Sequence, residues 1–128
     1  MPNDETLSKK TILVAEDDPF YSNIYKFKLN KEGYTVFTAT NGDEAIKLAK
    51  EHKPDLVLLD LIMPIKDGFE TLRELKQDPL LKDVRVIVIS NLGQDEDITR
   101  TKSMGAQDYL VKANMSIQEM MDKVKSYL

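Results

Sequence analysis

Asp60 follows the apolar run Leu56-Val57-Leu58-Leu59 and precedes Leu61-Ile62-Met63-Pro64, a place where a carboxylate serves no packing purpose. Three more polar groups end apolar runs in the same way. The acids Glu16, Asp17 and Asp18 follow Ile12-Leu13-Val14-Ala15, Ser90 follows Val86-Ile87-Val88-Ile89, and Lys112 follows Tyr109-Leu110-Val111. Carboxylates crowded at short range must protonate, separate or bind a cation. An all-oxygen site with few carboxylates suits Mg²⁺, which keeps several of its waters. A lysine adds a fixed positive charge and a serine a hydroxyl, both able to hold anionic oxygens. A carboxylate nucleophile, a divalent cation and a lysine together make a phosphoryl-transfer site with an aspartyl-phosphate intermediate.

The elements that must position these groups follow from the rhythm of the chain. Apolar segments at Ile12–Ala15, Tyr34–Ala39, Leu56–Leu59, Val84–Ile89 and Tyr109–Val111 alternate with longer amphipathic stretches of helical period. This predicts an α/β fold, a doubly wound five-stranded parallel sheet with five helices. Parallel strands with right-handed crossovers bring every strand's carboxyl end to one rim, where open α/β sheets place their ligand sites. The helices carry local signals. Asn41 precedes a helix over Asp43–His52, Asp67-Gly68 turns into Phe69–Gln77, and Ser116 with Glu119 forms a capping box. Gly33 sits where a helix starting near Pro19 should stop, and Asp18, just before that proline, is placed to cap it. The only histidine, His52, precedes Lys53-Pro54 and reads as a surface residue rather than a phosphocarrier.

Composition narrows the classes. The chain of 128 residues has room for one core, so no second catalytic or DNA-binding module is expected. Residues 1–10 read as a flexible polar tail and 11–128 as the domain. With 18 basic against 22 acidic residues the net charge is −4, which argues against phosphate-backbone binding and hence against nucleic acid as a direct partner. No cysteine is present, so disulfide and thiolate chemistry are excluded. No apolar stretch approaches the ~20 residues of a membrane span and no signal region opens the chain; a cytoplasmic location and no membrane partner are expected.

In its ordered motifs the sequence resembles the receiver domains of bacterial two-component response regulators, over Thr11 to Leu128. The resemblance rests on Glu16-Asp17, on Asp60 within D-L-I-M-P-I-K-D-G, on Ser90 thirty residues later and on Lys112 fifty-two residues after the aspartate. It implies the flavodoxin-like receiver fold. It implies Asp60 as acceptor of a phosphoryl group from a sensor histidine kinase or phosphotransfer protein, and a Mg²⁺ held by Glu16, Asp17, Asp60 and the backbone carbonyl of Ile62. Ser90 then occupies the switch hydroxyl position and Tyr109 the switch aromatic position, although an aromatic on a short edge strand is more often partial core. The expected output is a phosphorylation-dependent change of the surface built from the fourth helix (about Asp95–Met104), the fifth strand and the fifth helix. That surface would act on a downstream effector protein, with the chain a monomer or a phosphorylation-dependent dimer. Such a chain is a phosphoacceptor signalling domain rather than an enzyme with an external substrate.

Two other classes compete. A haloacid-dehalogenase-type phosphatase also uses a strand-end aspartate, but wants a second aspartate two residues on, where this chain has Ile62. An unphosphorylated scaffold would not need Asp60, Ser90 and Lys112 together. Two departures from the receiver pattern also stand out. Lys112 is followed by Ala113 instead of proline, so the bond is expected trans, a cis bond before a non-proline residue costing ~2.5–4 kcal/mol. The hydroxyl position is followed by Asn91-Leu92-Gly93-Gln94, where Gly93 implies an unusual or mobile backbone. Apart from these departures, Ile62 and Leu92, two residues past the acceptor and the switch hydroxyl, are both apolar. They are expected to gate the lifetime of the phosphoryl group by shielding it from water.

Overall fold

A computed structural model describes residues 10–128; the tail expected over the first ten residues lies, up to residue 9, outside the described residues. Five strands form one parallel sheet in the order β2-β1-β3-β4-β5: β1 Thr11–Ala15, β2 Thr35–Ala39, β3 Leu56–Leu59, β4 Arg85–Ser90 and β5 Asp108–Val111. The helices are α1 Pro19–Lys31, α2 Gly42–His52, α3 Gly68–Gln77, α4 Asp95–Ser103 and α5 Ile117–Lys125. The doubly wound architecture is the one the alternation predicts. A 3₁₀ turn over Lys112–Asn114, not foreseen from the sequence, joins β5 to α5. No peptide bond among the described residues is cis, so Lys112–Ala113 is trans, as expected.

Strand alternation divides the core into two layers. Leu13, Val57, Leu59, Val86, Val88 and Tyr109 face α2 and α3 through Ala45, Ala49, Leu72 and Leu75. Ile12, Val14, Leu56, Leu58, Ile87, Ile89 and Leu110 face α1 and α5 through Tyr25, Leu29, Met120, Met121 and Val124. Burial on both faces explains why β3 and β4 read as unbroken aliphatic runs.

The helix starts are fixed by the capping residues the sequence offers. Asp18 accepts from the Phe20 amide at 2.9 Å ahead of Pro19, Asn41 from Glu44 at 2.8 Å, and Asp67 from Glu70 at 2.9 Å. Ser116 and Glu119 exchange both bonds of a capping box. Helix α4 has no side-chain cap and buries only Thr101. Gly33, at φ 97°, takes the left-handed turn after α1 that favours glycine. Among the described residues no helix is long and apolar enough to cross a membrane.

Candidate functional site

The strand register brings the predicted residues to one rim. Ala15 on β1 pairs with Leu59 on β3, so the next residues, Glu16 and Asp60, emerge level with each other. The Asp60 amide donates to the Ala15 carbonyl at 3.0 Å and extends that register by one step. Carrying the alternation one residue past each strand places Glu16, Asp60 and Lys112 on the side of Val14, Leu58 and Leu110, the α1/α5 side. Ser90 follows Val88 on the α2/α3 side, together with Tyr109. The site therefore has an acidic and cationic half against α1 and a hydroxyl and aromatic half against the other layer.

In the first half, Lys112 donates to Glu16 Oε1 at 2.6 Å and to Asp60 Oδ2 at 2.9 Å. All three side chains are buried, Lys112 standing at the start of the 3₁₀ turn that follows β5. Asp17 is exposed at the mouth. Glu16, Asp17 and Asp60 each offer a carboxylate oxygen within 4.8 Å of the others. Burial, with the Asp60 charge adding to it against the Lys112 hydrogen bond, pushes the Glu16 carboxyl up to about 7. The Lys112 ammonium is held above the usual lysine range, its bonds to Glu16 and Asp60 outweighing burial. Two buried carboxylates beside one ammonium carry an excess of negative charge. That excess, an all-oxygen donor set and an exposed third carboxylate fit a hard divalent cation.

The loop after Asp60 is tied down on both sides. Asp60 Oδ1 accepts from the Ile62 amide at 3.2 Å, and the Gly68 amide donates to Leu61 O at 2.9 Å. A Cβ on Gly68 would lie 2.3 Å from Asp60 O and 2.5 Å from Leu61 Cα, so only glycine lets α3 start this close to Asp60. Lys66 reaches from the loop to Glu74 on α3, 2.6 Å from Oε1, and to Asp43 on α2 at 3.1 Å. Between these anchors Ile65 holds φ 70°, a strained backbone for a β-branched residue. Ile62 is exposed and lines the acid pocket, a depression of about 260 Å³ that Asn91 and Tyr21 also line.

In the second half, Ser90 is fully buried and its Oγ accepts from the Leu92 amide at 3.3 Å. The Tyr109 hydroxyl donates to the Leu92 carbonyl. Tyr109 is 8 % exposed, turned into the core, and burial pushes its hydroxyl up to about 12. The Leu92 backbone thus connects the hydroxyl and the aromatic ring. The Leu92 side chain packs against the core layer of α2 and α3, and the pocket wall at this point is Asn91. Of the two residues expected to gate the pocket, Ile62 stands at it and Leu92 does not line it.

Sequence reasoning passed over Tyr21 and Asn91. Tyr21 sits one turn into α1, whose start at Asp18-Pro19 already marks the rim, and this was the available signal. His52 is exposed, as expected, and stacks on Phe37 with ring centroids 3.7 Å apart.

The family model described as response regulator receiver domain matches residues 12–125. The probable C4-dicarboxylate response regulator DctR of Bacillus subtilis is 41% identical over 120 residues, 91% of this chain and 52% of that protein. The chain thus spans about half of DctR. It spans nearly all of a second relative, the polar-differentiation response regulator DivK of Brucella anthropi, which is 31% identical over 93% of this chain and 96% of its own length. Among solved structures, the BeF3-activated N-terminal receiver domain of Klebsiella pneumoniae RstA superposes with a TM-score of 0.81 at 29% identity, covering 91% of this chain and 97% of that one.

Proposed function

We propose that this chain, which belongs to the response regulator receiver domain family, works as a phosphorylation switch with Asp60 as the acceptor. The observation that carries the reading is the convergence of Glu16, Asp60 and Lys112 within hydrogen-bond reach at the carboxyl ends of three strands. In the proposed reaction an Asp60 carboxylate oxygen attacks the phosphorus of a phosphohistidine in line. The new O–P bond forms as the P–N bond breaks, and the imidazole of the donor kinase or phosphotransfer protein leaves. Lys112, already on Asp60 Oδ2, is placed to turn its ammonium to an oxygen of the transferred group. Glu16, Asp17, Asp60 and the Ile62 carbonyl would hold Mg²⁺, which when bound offsets charge on the transferring oxygens.

Leu92 supports a route from phosphorylation to the surface. As Ser90 Oγ turns to a phosphoryl oxygen it gives up the Leu92 amide, and the carbonyl of that same residue holds the Tyr109 hydroxyl. Ser90 and Tyr109 then change state together and bias α4, β5 and α5 toward a second arrangement. Helix α4 suits this role, with no side-chain cap and one buried residue. The readout would be a downstream effector protein.

Beryllofluoride tests this reading. With Mg²⁺ it should bind and shift the amide resonances of Leu92, Tyr109 and α4, and a chelator should reverse the shift. Binding that survives the chelator, or shifts absent from α4 and β5, contradicts it.

A further inference from the structure

Lys112 has a third neighbour that the phosphorylation reading leaves without a task. Its ammonium lies over the ring of Tyr21, 4.3 Å from the centroid. An ammonium has three N–H donors; two directions are taken by Glu16 and Asp60, and the π face of Tyr21 closes another side. The Lys112 side chain is only 4% exposed, and a cation withdrawn from water over an aromatic face is held more strongly than one in water. The ring is braced in turn. Phe20 meets it edge-on at 5.2 Å, and Tyr25, one helical turn later, lies 5.8 Å away. Tyr25 is itself buried, and its hydroxyl reaches Met120 Sδ of α5 at 3.9 Å. The seat under Lys112 is thus anchored to both helices of its layer.

We propose that the Tyr21 ring is a positioning residue for phosphoryl capture, holding the Lys112 ammonium in place while it exchanges a carboxylate for a phosphoryl oxygen. The proposal rests on the reading of Asp60 as phosphoacceptor and deepens it. Lysine is a point charge on a flexible four-carbon stem. In the described site two carboxylates fix it, Glu16 and Asp60, and both are also proposed metal ligands. When Glu16 turns to a metal, the attraction of the ring is the interaction that does not change, and it keeps the ammonium beside Asp60 instead of releasing it toward the exposed Asp17. A leucine at position 21 fills the same apolar wall but has no quadrupole; a phenylalanine keeps the quadrupole and loses only the hydroxyl.

The test compares the natural chain with Tyr21→Phe, Tyr21→Leu, Lys112→Met and the Tyr21→Leu/Lys112→Met double variant. It reads Mg²⁺ affinity alone, beryllofluoride affinity at saturating Mg²⁺, and the rate of labelling by acetyl phosphate, with urea midpoints recorded to confirm folding. Tyr21→Leu should weaken beryllofluoride binding and slow labelling about tenfold, the size of a desolvated cation–π contact, and leave Mg²⁺ affinity unchanged. Tyr21→Phe should stay close to the natural chain, and Tyr21→Leu should add nothing once Lys112 is gone. A Tyr21→Phe defect as deep as that of Tyr21→Leu overturns the proposal, as does an undiminished Tyr21→Leu effect in the Lys112→Met background. Labelling that persists in Asp60→Asn overturns the underlying reading instead, a result separate from any of these.

Discussion

Lys112 lies closer to Glu16, at 2.6 Å, than to Asp60, at 2.9 Å. The residues are 96 positions apart in the chain and both are buried. The Lys112 ammonium is therefore held first by Glu16, the acid beside the proposed acceptor Asp60, and it keeps two buried carboxylates compatible with folding. Removing one member of a buried ion cluster costs more than the cluster's net worth, because the remaining charges lose their partner. Lys112→Met should lower stability in chelator by about 3 kcal/mol, and added Mg²⁺ should recover part of the loss by supplying positive charge between Glu16 and Asp60. Urea denaturation with and without Mg²⁺ measures both. A variant as stable as the natural chain in chelator would show that Glu16 and Asp60 do not need the ammonium.

Gly68 is the second fixed point. Its missing Cβ is replaced by Asp60 O and Leu61 Cα, which are backbone atoms with little freedom to yield. Gly68→Ala should cost at least about 2 kcal/mol and weaken Mg²⁺ binding, because the displaced backbone belongs to Asp60 and leads to the Ile62 carbonyl. Unchanged Mg²⁺ affinity alongside lowered stability would separate the helix start from the site.

Much of this arrangement is legible in the sequence because it depends on local pattern. Four aliphatic residues before Asp60 specify a strand buried on both faces, and the alternation of strand and helix specifies the rim. The capping residues Asp18, Asn41, Asp67 and Ser116 announce the helix starts. Contacts that depend on side-chain direction are less legible. Tyr21 looks like core at helical spacing, and only the side of the sheet to which Lys112 turns reveals the pairing. Leu92 and Asn91 differ by one position, and the backbone path between Ser90 and Gly93 decides which of them faces the acids. The 3₁₀ turn at Lys112–Asn114 has no proline or glycine to signal it.

Lifetime follows from what lines the pocket. Ile62 lines it and offers no group to orient or deprotonate a water, whereas Leu92 is packed against the core. Ile62→Asn should speed loss of phosphate from the phosphorylated protein, and Leu92→Ala should leave that rate unchanged. Phosphate release followed over time decides it, and an Ile62→Asn rate equal to that of the natural chain removes the shielding argument.

At the far end of the chain the capping box ties α5 to pH. Ser116→Ala should cost about 1 kcal/mol. Glu119 is held below its ordinary value of 4.5 by hydrogen bonds from the backbone and side chain of Ser116. A depressed carboxylate contributes stability that is present above the unfolded value and lost as pH falls through the folded one. The stability difference between the natural chain and Glu119→Gln should therefore be present at neutral pH and fade below pH 4.5. A difference independent of pH would contradict this.

The most direct test of the account is the stoichiometry and place of phosphorylation. Incubated with acetyl phosphate and Mg²⁺, the protein should gain one phosphoryl group by intact mass, on the peptide that contains Asp60, and Asp60→Asn should gain none. A phosphoryl group that persists in Asp60→Asn, or a natural chain that stays unmodified by acetyl phosphate and by a phosphorylated histidine kinase alike, would contradict it.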